Sequence, residues 1–258
     1  MDAEDTDMNE SNCGFYRRES IIAPSLCDAS FRLGIAQQFA LIQDIAAEHA
    51  ERLGVGGAAM TERGAFWLAV HTRLEFFAKA EMMKPLCVST WPQRTAPEDL
   101  RMHRLYRIES EGRTLAEGRT EWMVLNTNTG RLLRARDAGF PTGMEFHEET
   151  VCAVPFSRVA DDFSDADLCL TRRVVSSDID YGNHMNNVAY VRTMLDSFSS
   201  EALGALPVRS FEIRYGDPCH EGDPIAVYRK RTDTGFVFAI KKENGKTAAS
   251  AILETTEK

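Results

Sequence analysis

Residues 176–196 read SSDIDYGNHMNNVAYVRTMLD and crowd Asp178, Asp180, Asn183, His184, Asn186 and Asn187 into a turn just ahead of an apolar, helix-periodic run. These residue types in this order suit attack of water on a carbonyl. Imidazole is the side chain suited to exchanging a proton near neutral pH, so His184 can accept or return one. Asp180, four residues earlier, can orient that imidazole or act on the water itself. Asn186 or Asn187 suits the N-cap of the following helix, whose free N–H groups and positive dipole end can hold the oxyanion formed on attack. The same residues also fit a purely architectural use: the asparagines cap, the aspartates close turns and His184 satisfies a core polar group. Turn chemistry alone needs fewer ionisable groups, which favours the chemical reading.

Other chemistry is poorly supported. His49 lies on an apolar helical stripe beside Ala46 and Ala50, where a packing histidine is the commoner use. GVGG at 54–57 lacks the strand-turn-helix setting of a dinucleotide site, and no GxSxG nucleophile elbow occurs. The six cysteines, at 13, 27, 87, 152, 169 and 219, are scattered, so neither a disulfide framework nor a metal site is expected, and the turn chemistry needs no redox cofactor. A net charge of -9 argues against nucleic-acid binding. No apolar run approaches the roughly 18 residues of a membrane span. The acidic start is unlike a signal peptide, so a cytosolic location is expected. Basic clusters at Arg131, Arg134 and Arg136, at Arg172 and Arg173, and at Arg229–Arg231 are either solvated faces or meeting points for an acidic partner.

The elements that must hold the turn come in two similar sets. At 258 residues, two compact units are expected, each with its own core. Residues 1–14 read as a mobile acidic tail. From about Ser30 to Leu53, Ile35, Phe39, Ile42, Ala46, Ala50 and Leu53 recur at helical steps until Gly54, Gly56 and Gly57 stop the helix. Strand patterns follow at Ala65–Phe77, Leu86–Thr90, His103–Ser110, Thr114–Asn126 and Leu132–Arg134. The set then repeats: an extended start at Arg172–Ser177, a helix marked by Val188, Val191, Leu195 and Phe198, and strands at Ser210–Tyr215, Pro224–Arg231, Phe236–Lys241 and Thr247–Thr255. One helix followed by antiparallel strands, used twice, is an α+β plan. The expected division is 15–140, a connection at 141–170, and 171–258.

DIDYGNHMNNVAY resembles the signature of the acyl-ACP thioesterases, the plant chain-terminating enzymes and their bacterial relatives. LIQDIAAEHAERLGVG, ERGAFWLAVHTRLEF, Thr90-Trp91-Pro92 and EGRTLAEGRTEWMVLNTNTGRLLR extend the likeness through the first half. It implies a double hot dog, each half a long helix wrapped by an antiparallel sheet. The implied activity is release of free fatty acid from acyl carrier protein, ending fatty acid synthesis, with water attacking the thioester. The family's catalytic aspartate and histidine fall on Asp180 and His184. Its asparagine falls on Gly182, leaving Asn183 one place later. The family's glutamate falls on Pro218, which makes Asp217 the nearest carboxylate and sets Cys219 where a cysteine was once proposed as nucleophile. A buried structural cysteine is the better reading of Cys219.

The turn in the first half, IIAPSLCDASFRLG, has Asp28 but neither His nor an Asn pair, so chemistry is expected only in the second half. The resemblance gives the first half the acyl pocket, around its helix and Trp67; Trp67, Phe39 and Phe66 fit a plain core equally well. Asn186 is assigned to the substrate together with Trp67 and Phe39. Arg131, Arg134, Arg136, Arg172 and Arg173 would meet the acidic carrier protein. An acyl-CoA thioesterase on the same fold and a non-catalytic acyl-binding or regulatory protein are the alternatives. Fused halves supply the pair that single-domain relatives make by dimerising, so both a monomer and a homodimer fit.

Overall fold

The structure is a computed structural model that describes residues 13–141 and 143–256. The expected mobile tail lies, but for its last two residues, outside the described residues. The first apolar stripe forms α1 (Ile35–Arg52), which buries Phe39, Ile42, Ile45, Ala46 and His49. It starts later than the sequence pattern suggests, because residues 27–33 form a tight loop. Cys27 bridges Leu33, Asp28 Oδ1 accepts from Ser30 N at 2.8 Å, and Phe31 adopts φ 60°. Gly54, at φ 67°, ends α1. Gly57 then opens a short helix, α2 (Gly57–Glu62), that the glycine run did not foretell.

The strands are β1 (Cys13–Gly14), β2 (Tyr16–Ile21), β3 (Ala65–Phe76), β4 (Pro85–Pro92), β5 (Met102–Ser110), β6 (Arg113–Asn126), β7 (Leu132–Leu133) and β8 (Glu145–Phe146) in the first part of the chain. The second part supplies β9 (Leu168–Arg173), β10 (Val208–Tyr215), β11 (Pro224–Thr232), β12 (Gly235–Lys242) and β13 (Thr247–Thr255), with helices α3 (Asn187–Leu195) and α4 (Ser200–Ala205). β1 and β8 form a small parallel pair, and the others join in one 11-stranded sheet ordered β2-β4-β5-β6-β3-β10-β13-β12-β11-β9, with β7 on β6. The halves therefore meet along the antiparallel pair β3 and β10, where Glu212 lies opposite Arg73 and Ile213 opposite Thr72.

Both halves repeat one local plan. A short 3-10 turn (Pro24–Leu26 or Ser176–Asp178), an isolated bridge (Cys27 to Leu33 or Ile179 to Met185) and a helix follow one another in each. α1 and α3 pack against each other and against the sheet. Their cores are not separate, as the sequence reading supposed. One cluster runs from Ile22, Phe39 and Ile42 through Phe211 and Ile213 to Tyr190, Met194 and Phe238, because a continuous sheet gives the two helices a common floor.

The outer face carries charge at the seam. Arg73 Nη1 lies 3.0 Å from Glu212 Oε2, and Arg73 Nη2 lies 3.0 Å from Glu254 Oε2. The 141–170 segment covers this ion cluster: Ser157 N donates to Glu212 Oε1, and Phe156 stacks on His71 at 4.5 Å. Burial of such charges is tolerated because each is paired.

Candidate active site

The 180–187 turn is fixed by its own backbone and by the strand end beside it. Asp180 N donates to His184 O at 3.0 Å, Asn183 N to Asp180 O at 3.0 Å, and Met185 N to Cys219 O at 2.8 Å. Asp178, expected to serve the turn, accepts Val175 N at 2.9 Å and pairs with Arg172. Asn186 is the N-cap of α3, its Oδ1 accepting Val188 N at 2.8 Å. The first helical N–H, that of Asn187, has no hydrogen-bond partner among the described residues. Asp180 is held at both oxygens, by Gly182 N at 2.9 Å and, more loosely, by Asn186 Nδ2 at 3.4 Å. The His184 ring sits 4.9 Å from that of His220.

Asp180, His184, Asn186 and Asn187 face a cavity of about 1020 Å³ between α1 and the concave sheet face. Trp67 lines its wall with its polar edge already satisfied, since Nε1 donates to Val55 O at 2.8 Å and the ring meets Trp122 edge-on at 6.3 Å. Tyr215 also lines it, and burial pushes its phenol well above the ordinary tyrosine value. The arrangement gives an imidazole, a fixed carboxylate and an open helix N-terminus on one side of a largely apolar chamber, which suits hydrolysis of an acyl derivative with a long chain.

Several expected site residues lie elsewhere. Asn183 is exposed at φ 58° and is not among the residues that line the cavity. A side chain at 182 would itself meet the Phe66 ring at 2.8 Å. Asp217 is occupied by Lys242 and Lys246, each at 3.1 Å, which hold its carboxyl below the usual range. Cys219 is fully buried outside the cavity wall; its N–H donates to Tyr190 Oη at 2.9 Å, and burial pushes its thiol up. Pro218 and Gly216, not a carboxylate, line the wall at that strand end. Phe39 belongs to the core, set edge-on against Phe211 at 5.5 Å.

Among the basic residues, Arg131 and Arg173 are exposed, although Arg173 Nη1 is tied to Gly222 O at 2.8 Å. Arg134 and Arg136 share Glu98. Arg172 is taken up by Asp178 and by Thr193 Oγ1 at 3.1 Å, so it braces the turn instead of presenting a free charge. His220 and Arg104 escaped the sequence reading. His220 stood next to Cys219 in a segment read for its missing glutamate. Arg104 carried a signal, being a charge at an inward position of the alternating run Met102, Arg104, Tyr106, Ile108.

Comparison with known proteins agrees with this architecture. Residues 15–138 match the acyl-ACP thioesterase N-terminal domain and residues 164–257 the acyl-ACP thioesterase C-terminal domain. The chloroplastic oleoyl-acyl carrier protein thioesterase 2 of Arabidopsis thaliana is 21% identical over 232 residues, which are 81% of this chain; the chain spans 61% of that relative's length. An acyl-ACP thioesterase structure from Bacteroides thetaiotaomicron superposes with a TM-score of 0.81 at 20% identity, covering 96% of this chain and 98% of the other. The 12:0-ACP thioesterase of Umbellularia californica gives 0.76 at 16% identity, covering 93% and 96%. These superpositions establish the fold as the double hot dog. With its two halves matching the two domains in order, the chain belongs to the acyl-ACP thioesterase family.

Proposed function

We propose that this protein hydrolyses the thioester between a fatty acyl chain and the phosphopantetheine arm of acyl carrier protein, releasing free fatty acid. The observation that carries the reading is the shared cavity: Asp180, His184 and Asn187, whose backbone N–H has no hydrogen-bond partner among the described residues, all line the chamber that would take the acyl chain. In this reading residues 15–140 supply most of the chamber, 171–258 supply the chemistry, and 141–170 joins them.

The thioester oxygen accepts from the Asn187 N–H at the positive end of α3, which stabilises the oxyanion as it forms. Asp180, fixed by Gly182 and Asn186, orients the attacking water. His184 takes the water proton as the new C–O bond forms, then returns it to the sulfur as the C–S bond breaks. No carboxylate of the 216–219 strand end faces the cavity, so the turn alone carries the base chemistry. Acyl carrier protein would approach past Arg131, Arg134, Arg136 and Arg173, with Arg134 and Arg136 already partly neutralised by Glu98. Among the described residues no helix is long and apolar enough to cross a membrane, and the cytosol is the proposed compartment.

Pro218, where the family pattern has a glutamate, lines the wall without a carboxylate and favours a second reading: acyl binding without turnover. The deciding experiment measures fatty acid release from acyl-ACP and acyl-CoA panels by wild type, Asp180→Ala and His184→Ala. Turnover of acyl-ACP that both substitutions abolish supports the proposal. Preference for acyl-CoA would assign the other thioesterase activity, and binding without release by folded wild type would leave the acyl-binding reading.

A further inference from the structure

A charged side chain with no counter-charge among the described residues is buried in the wall of the same cavity. Arg104, on β5, is 6% exposed. Its Nη1 contacts His49 Nδ1 at 2.9 Å and Thr90 Oγ1 at 3.4 Å. Its Nε and Nη2 make no hydrogen bond among the described residues. Asp44 and Asp180, the acidic residues of the cavity wall, form no ion pair with it. Buried arginines are nearly always paired with an anion, because an isolated charge loses hydration that nothing replaces.

A second unsatisfied donor stands beside it. Thr120 lies opposite Arg104 across the β5–β6 ladder, and Trp122, two residues along the same strand and on the same face, lines the cavity; its buried Nε1 makes no geometrically good hydrogen bond among the described residues, although it acts on the nearby Tyr106 phenol. Behind this wall Thr72 and Thr120 share a hydrogen bond of 3.1 Å. A chamber built only for a methyl-terminated chain has no use for these groups.

Their position fixes what they would meet. The catalytic turn hangs from the end of β10 through the Met185–Cys219 bond. β5 lies three strands away in the order β10, β3, β6, β5, a distance of about 14 Å at normal strand spacing. A chain with its thioester at the turn would bring its far end toward Arg104.

Resting on the thioesterase reading, we infer that the preferred acyl group carries a carboxylate at the end remote from the thioester, received by Arg104 with Trp122 Nε1 as an auxiliary donor. The guanidinium fork matches a carboxylate in two parallel hydrogen bonds, which makes Arg104 a specificity-determining residue.

The test compares acyl carrier protein loaded with ω-carboxyacyl chains and with methyl-terminated chains of matched lengths, using wild type, Arg104→Met and Arg104→Lys. Displacement of a fluorescent fatty acid by free dicarboxylic and monocarboxylic acids gives a readout that needs no turnover. Wild type is expected to favour the ω-carboxy substrates by roughly tenfold or more in kcat/KM. That ratio should vanish in Arg104→Met and survive in part in Arg104→Lys. Preference of wild type for methyl-terminated chains, or a ratio unmoved by Arg104→Met, overturns the inference while leaving the thioesterase reading intact. Should no acyl-ACP be turned over, the thioesterase reading fails, and the displacement assay still decides the role of Arg104: tighter binding of monocarboxylic acids sinks it. Should Arg104→Met not fold, the wild-type ratios and Arg104→Lys decide.

Discussion

The hydroxyl of Tyr190 on α3 accepts the backbone N–H of Cys219 at 2.9 Å, tying the helix that follows the catalytic turn to the strand end that carries it. Met185 N, within the turn, bonds the carbonyl of that same Cys219. One residue thus anchors the turn by its C=O and the helix by its N–H. Tyr190→Phe leaves a buried N–H without a partner and should cost about 1–3 kcal/mol of stability, read from denaturant unfolding. Because the turn is anchored at the same residue, kcat should fall more than KM changes.

Alkylation separates structural from reactive cysteines. Burial pushes the Cys152 thiol up to about 12 and also raises that of Cys219, whereas Cys169 is exposed. The thiolate is the reacting form, so maleimide should label Cys169 in the native protein and reach Cys152 and Cys219 only on unfolding. Mass mapping of the adducts checks this. Rapid native labelling of Cys219, with loss of activity, would return it to the site.

Within the turn the two candidate groups and their neighbour should behave differently. Asp180→Asn and His184→Ala should each lower kcat/KM by about a hundredfold or more with melting temperature nearly unchanged. Asn183→Gly should keep activity and gain roughly 0.5 kcal/mol, since glycine adopts φ 58° without a side-chain penalty.

Stability should decline as the solution is acidified, beginning near neutrality. Burial lowers the pKa of His71 and of His103 from the ordinary 6.5, against the opposing pull of Glu212 and Glu121. Below 6.5 the unfolded chain binds protons that the folded chain refuses, so unfolding is favoured progressively until each folded pKa is passed. Arg101 and Arg214 act in the same direction as burial on His71. Glu254, whose pKa is lowered first by Ser210 and then by Arg73, adds a loss at more acid pH. Thermal melts from pH 7.5 to about 5 should show this slope, and His71→Gln should flatten it. A slope unchanged by that substitution would remove His71 from the account.

The sequence displayed the fold better than the site. Alternation and helical steps marked both main helices and the strands of eight or more residues, because each buries one face on a common core, whereas β9 (Leu168–Arg173) lies earlier than the extended start expected at Arg172–Ser177. The start of α1 was misplaced since polar Ser30 and Arg32 can sit in a helix as easily as in the Asp28 loop. That Asp180 and His184 share one cavity wall was legible from their crowding before a helix. The placement of Asn183 and Asp217 off that wall was not, because adjacency in sequence does not say which way a side chain leaves a turn: one is exposed and one meets two lysines, whereas Cys219 is buried as its residue type suggests. Arg104 could be found only by asking why a charge occupies an inward strand position, and its lack of a counter-charge needed the three-dimensional arrangement.

The seam between β3 and β10 bears on how the chain avoids its own copies. Any strand that pairs along its edge with another strand can in principle pair with itself. A symmetric β10 pair centred on Glu212 would set that carboxylate against its twin, and a symmetric β3 pair centred on Arg73 would do the same with guanidinium groups. Setting Arg73 on one strand against Glu212 on the other favours the β3–β10 pairing over either strand with its own like, so the buried ion pair works as an address that directs one kind of edge to the other.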